Sequence, residues 1–185
     1  MVARSLQEHF ASRDYAAIAP LLVPDCRQRT LDLLVGVAEV LSANERLKTT
    51  AEAAYAGPMT ETWDLAAMEN NLGVFSARAT LISETFKGDR ATVTLQEADA
   101  IPLIHAEFEL HDGRWLHRPE PAPTRMASEL RRLAEVIDEI TESVRRGSTF
   151  ETYVNAFFDR VIPQMRRIVT VRDESAELVV GPPSD

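Results

Sequence analysis

The sequence holds one cysteine, Cys26, so no disulfide can close within it, and no CxxC or Cys/His cluster is present to hold zinc. Basic side chains are also in deficit: 20 Lys and Arg stand against 29 Asp and Glu, for a formal net charge of −9. That balance excludes nucleic acid as a general partner, because neutralising phosphates needs a basic surface that the chain does not supply. Long apolar runs are missing as well. Nothing approaches the roughly 18 consecutive apolar residues that cross a bilayer, and Met1–His9 lacks a signal-type apolar core, so no membrane span is expected. A cytoplasmic location follows, with export and loss of a signal segment as the alternative. The P-loop signature and the GxGxxG, GxSxG and HExxH motifs are all lacking. What is there is a chain of 185 residues, 45% apolar and 26% charged, able to bury a core and fold as one domain with an added segment.

Short helices are predicted at Ser5–Phe10 and at Asp14–Leu22, where Asp14 is an N-cap and Pro24 the stop. A long helix is expected over Asp25–Tyr55, with Leu33, Val37, Leu41, Leu47, Ala51 and Ala54 as its apolar stripe and Gly57-Pro58 ending it. Thr60–Asn70 reads as a further helix with Trp63 and Ala67 inward. After Gly73 the period turns to alternation, which predicts strands at Val74–Phe86, Ala91–Ala98, Leu103–Leu110 and Trp115–Arg118. His111-Asp112-Gly113-Arg114 is a type I′ turn signal. Counting outward from it sets Leu110 opposite Trp115, Phe108 opposite His117 and Glu107 opposite Arg118. Phe108, Leu110 and Trp115 then share an apolar face, and Glu107, Glu109, His111, Arg114 and Arg118 a charged one.

Three prolines in Pro119–Pro123 mark a linker. Beyond it Met126, Leu130, Leu133, Ile137, Ile140 and Val144 repeat at steps of four and three, a helical seam that Gly147 ends. Ser148-Thr149-Phe150-Glu151 reads as a capping box opening a last helix with the seam Phe150, Val154, Phe157, Val161, Met165 and Ile168. The expected fold class is therefore α+β. N-terminal helices pack on a four-stranded antiparallel meander over residues 1–118, a helical hairpin follows over 124–170, and 171–185 form a frayed tail.

The opening pattern Arg13-Asp14-Tyr15 … Leu21-Leu22-Val23-Pro24-Asp25, with the closing Asp112-Gly113-Arg114-Trp115, resembles the cystatin-like α+β cone superfamily. Ketosteroid isomerase, nuclear transport factor and the SnoaL-like proteins belong to that superfamily. The resemblance covers residues 5–118 and implies a curled sheet holding an apolar pocket. It departs at Asp25–Tyr55, where a long helix replaces the strand that usually follows the Pro-Asp pair. In the superfamily's enzymes, carboxylates line the cone. By position the candidates here are Asp64, Glu84 and His117, with Tyr55, Trp63, Phe108 and Trp115 as pocket walls, and no motif carries the roles over residue by residue.

On the residues alone, His117 is counted onto the apolar face, where an imidazole serves as acid or base or packs with one hydrogen bond. Glu84 and Glu97 are counted onto the face of Ile82, Val93 and Leu95, where a carboxylate is desolvated unless a bulge reverses it. His105, His111 and His117 do not converge, so no metal and no cofactor is expected. Cys26 stands at a helix start, either activated by the dipole or simply half-buried. Arg131, Arg132, Arg166 and Arg167 are brought to one end of the hairpin, as an anion site or neutralised by Glu129 and Glu135. The expected function is a non-enzymatic module that binds a protein partner, a second copy of the chain through its helices, or an apolar ligand. The rivals are a small-molecule enzyme using a cone pocket and an acidic secretion-chaperone or immunity-like protein.

Overall fold

The computed structural model describes residues 2–55, 73–97 and 103–168. The expected helix Thr60–Asn70, with Trp63 and Asp64, and the tail 171–185 lie outside them. In chain order the elements are α1 (Val2–Ala11), α2 (Tyr15–Ile18), a 3-10 turn (Ala19–Leu21), α3 (Arg27–Tyr55), a second 3-10 turn (Gly73–Phe75), β1 (Ala79–Lys87), β2 (Arg90–Glu97), β3 (Ile104–His111), β4 (Arg114–Arg118), α4 (Met126–Arg145), α5 (Phe150–Ala156) and a π turn (Phe157–Val161). The fold class is the α+β arrangement read from the sequence. Two compact units form, one from Met1–Leu31 with Leu65–Pro121 and one from Asp32–Asp64 with Ala122–Asp185.

The first unit is built on an antiparallel sheet of order β1-β2-β3-β4. Asp112 and Gly113 take φ of 48° and 76°, the two left-handed positions that a type I′ turn needs. The partners His111–Arg114, Leu110–Trp115, Phe108–His117 and Glu107–Arg118 follow as counted. The first strand differs from expectation: Gly73–Phe75 is a 3-10 turn, and β1 starts only at Ala79. A bulge lies between Leu81 and Ser83, with Ile82 as the extra residue. Two adjacent apolar residues cannot both face the core in a strand of period two, and the bulge resolves the conflict. Leu81, not Ile82, stands opposite Leu95, while Glu84 keeps its place opposite Val93 and Phe86 its place opposite Ala91.

Ala79, Ala91, Val93, Leu95, Ala106 and Phe108 are buried on this face of the sheet, with α1 and both 3-10 turns packed near it. Gln7 fixes α1 by donating from Nε2 to the Ala79 carbonyl at 2.9 Å. Asp14 caps α2, its carboxylate accepting from the Ala17 amide at 3.1 Å. After the Ala19–Leu21 turn the chain runs along β4: Leu22 bridges His117 in parallel, and the Val23 amide donates to the His117 carbonyl at 3.0 Å. That bond satisfies the His117 carbonyl on the outer edge of the sheet.

In the second unit the α3 stripe differs from the one predicted. Leu34, Val37, Val40, Ala43, Leu47 and Ala51 are buried, whereas Leu33, Leu41 and Ala54 are not. The pairs Leu33-Leu34 and Val40-Leu41 let two frames satisfy the helical period. Gly36 decides between them: a Cβ there would stand 3.1 Å from the Leu130 Cβ and 3.2 Å from the Ala127 carbonyl oxygen, so α3 approaches α4 along that face. Asp32–Tyr55 thus belongs with the C-terminal helices, not with the sheet to which the sequence reading joins it. All six seam residues of α4, from Met126 to Val144, are buried.

The α5 cap and seam are corrected too. Thr149 is the N-cap, accepting from the Thr152 amide at 3.2 Å, and not Ser148 with Glu151. Tyr153, Phe157, Val161 and Gln164 are buried, while Phe150, Val154, Met165 and Ile168 are not. Pro163 sets the π turn that follows α5. It has no amide to donate, and its ring would strike the carbonyl four residues back, so the preceding turn widens and the Ile162 amide reaches the Phe157 oxygen instead.

Candidate binding site on the sheet

Phe108 and His117 are neighbours across β3 and β4, so their side chains stand together on the helix-covered face. His117 is 5% exposed. Its ring lies 5.1 Å from that of Phe108 and 5.6 Å, edge-on, from that of Phe75. Nδ1 lies 2.9 Å from the Glu107 carbonyl oxygen, and since a carbonyl only accepts, Nδ1 carries the proton. Burial pushes the pKa of His117 down to about 4, against a smaller upward pull from the Glu107 hydrogen bond. At neutral pH the imidazole is uncharged, with a lone pair on Nε2, and is a weak base.

Away from the helices the same face is open. Phe86 is 60% exposed, Leu81 41% and Leu110 40%, and Trp115 is half-buried. Phe86 belongs to the first strand and Trp115 to the last, yet their rings meet with centroids 5.5 Å apart. Three strand spacings of a flat sheet separate such residues by about 14 Å. The two side chains lean toward each other over small Ala91, which stands opposite Phe86, and a twisted sheet curling toward this face closes the rest of the gap. Glu84 is on the face as counted, opposite Val93. It is half-buried, less exposed than its apolar strand-mates Leu81 and Phe86.

The opposite face is polar. Arg118 donates from Nε and Nη2 to the Glu109 carboxylate at 2.5 and 3.1 Å and from Nη1 to Asp25 at 3.1 Å. The Arg118 guanidinium holds the Glu109 carboxyl below the usual range. Thr92 donates to Glu107 at 2.9 Å, and Thr94 bonds His105 at 3.2 Å.

The remaining candidates stand elsewhere. Tyr55 is in the second unit, stacked on Tyr153 at 5.6 Å and edge-on to Phe150 at 5.4 Å, with its hydroxyl donating to the Ser148 carbonyl at 2.8 Å. Burial, with Tyr55 adding to it, pushes the Tyr153 phenol up to about 12. Tyr55 is thus a latch between the end of α3 and the turn before α5. Arg131 approaches Asp32 at 3.9 Å and Glu39 at 3.7 Å, both on α3. Glu129 instead accepts from Gln164 Nε2 at 2.5 Å. Arg132, Arg166 and Arg167 are exposed. The Cys26 thiol bonds the Val23 carbonyl at 3.2 Å, and burial, then Asp25, push its pKa up. The thiol is half-buried and its pKa is raised, the opposite of an activated thiolate. Among the described residues no group of three His, Cys, Asp or Glu side chains could hold a metal ion. No described helix is long and apolar enough to cross a membrane.

Leu81, Phe86 and Leu110 were not among the site residues read from the sequence. Phe86 carried a signal, an aromatic immediately before the Lys87-Gly88 turn. The exposure of Leu81 depended on the bulge. No protein-family model, no curated protein and no solved structure matches the chain.

Proposed function

We propose that the protein is a non-catalytic binding module and that the uncovered part of its apolar sheet face is the binding surface. The observation that carries this is the Phe86–Trp115 pair, rings 5.5 Å apart across the curl of the sheet with Leu81 and Leu110 left in water on the same face. A concave apolar surface of this kind is what an apolar group of a ligand or partner fills. A curled sheet with helices over one end is also what resemblance to the cystatin-like cone implies, and it supports a cone reading of residues 5–118. The non-catalytic part rests on His117: it is neutral, enclosed by Phe75 and Phe108, and tied to the Glu107 carbonyl. Burial of the α4 seam within one chain supports reading the sheet face, and not that seam, as the binding surface.

The test is titration with an uncharged fluorescent naphthylamine. Wild-type protein enhances its emission, and Phe86→Asp weakens binding about tenfold, the loss expected when one large apolar contact of roughly 1.5 kcal/mol is removed, with the far-ultraviolet circular dichroism of the folded chain retained. Equal binding by both proteins overturns the assigned surface. Proton exchange at carbon on a panel of small ketones stays at background. Exchange above background that is lost in His117→Ala overturns the non-catalytic reading.

A further inference from the structure

Glu84 is the one carboxylate on the apolar face whose side chain is described, and it is more covered than Leu81 and Phe86 on either side of it. Among the described residues it makes no ion pair or hydrogen bond. Lys87, the cation nearest in sequence, stands with its register partner Arg90 on the polar face of the sheet and not beside Glu84. A half-covered carboxylate set among apolar groups has lost hydration without gaining a partner, and a cation arriving there restores the lost interaction. The aromatic pair beside it adds to the same preference, because ring faces attract cations that carry apolar surface. The net charge of −9 draws such a ligand from solution and opposes an anionic one.

We infer that this surface takes an amphipathic organic cation, its apolar body across Phe86 and Trp115 and its ammonium at the Glu84 carboxylate. The inference rests on the binding surface proposed above and adds the charge of the ligand to it. Calorimetric titration of the full chain with octyltrimethylammonium, octyl sulfate and octyl glucoside, each below its micelle concentration, tests it. The cation binds about tenfold more tightly than the sulfate, as one exposed ion pair plus one cation–π contact would supply. Glu84→Gln removes that advantage and leaves glucoside binding unchanged. Equal binding of all three compounds overturns the cation assignment and spares the surface; no binding of any overturns both. A cation preference that survives Glu84→Gln overturns the role of Glu84 and assigns the preference to net charge.

Discussion

His117 shows how one residue's surroundings choose between chemistry and packing. Its folded pKa of about 4 lies below the ordinary value of 6.5, so between those values the unfolded chain binds a proton that the folded chain refuses. The stability at stake is therefore full above about pH 6.5 and is lost as pH falls toward 4, by up to about 3 kcal/mol. Urea unfolding at pH 7 and at pH 4.5 should show a drop in wild type that His117→Phe largely removes. Identical drops in the two proteins would show that His117 is not the group responsible. The facing of His117 was legible, because an Asp-Gly turn fixes register and every later residue follows by alternation. Its enclosure was not, since Phe75 read as strand and instead forms part of the 3-10 turn that brings its ring edge-on to the imidazole at 5.6 Å.

At the scale of elements, the sequence was clear wherever its period admitted one frame. Met126 to Val144 allow a single apolar stripe, and that stripe is buried. α3 allowed two, and Gly36 chose between them through close approach, a property of the neighbouring helix that no periodicity contains. Gly36→Val should therefore lower stability by about 1–3 kcal/mol by forcing a side chain against Leu130 and the Ala127 carbonyl, read as a lower denaturant midpoint. An unchanged or higher midpoint would show that the two helices can separate at no cost. The Leu81-Ile82 bulge and the π turn before Pro163 are the same kind of event. Each inserts one residue into a regular count, so a single period no longer describes the facing of side chains on both sides of it. Pro163 announced a disturbance in the sequence, but the residue that would absorb it could not be read from spacing.

For the whole molecule, the two units are discontinuous in sequence: the first boundary falls inside α3, between Leu31 and Asp32, and the last between Pro121 and Ala122. A boundary within an unbroken helix leaves no mark in composition. The candidate site lies within the first unit, and its aromatic floor comes from strands at opposite sides of one sheet. Register alone puts Trp115 on the apolar face, but its meeting with Phe86 across the sheet is not contained in any register count. The most direct test is a map of backbone and side-chain NMR shifts during titration with octyltrimethylammonium below its micelle concentration. Shifts concentrated at Leu81, Glu84, Phe86, Leu110 and Trp115, with Thr92, Thr94 and Arg114 on the polar face unmoved, are the predicted result. Shifts confined to the polar face or to α4, or none at saturating ligand, would contradict it.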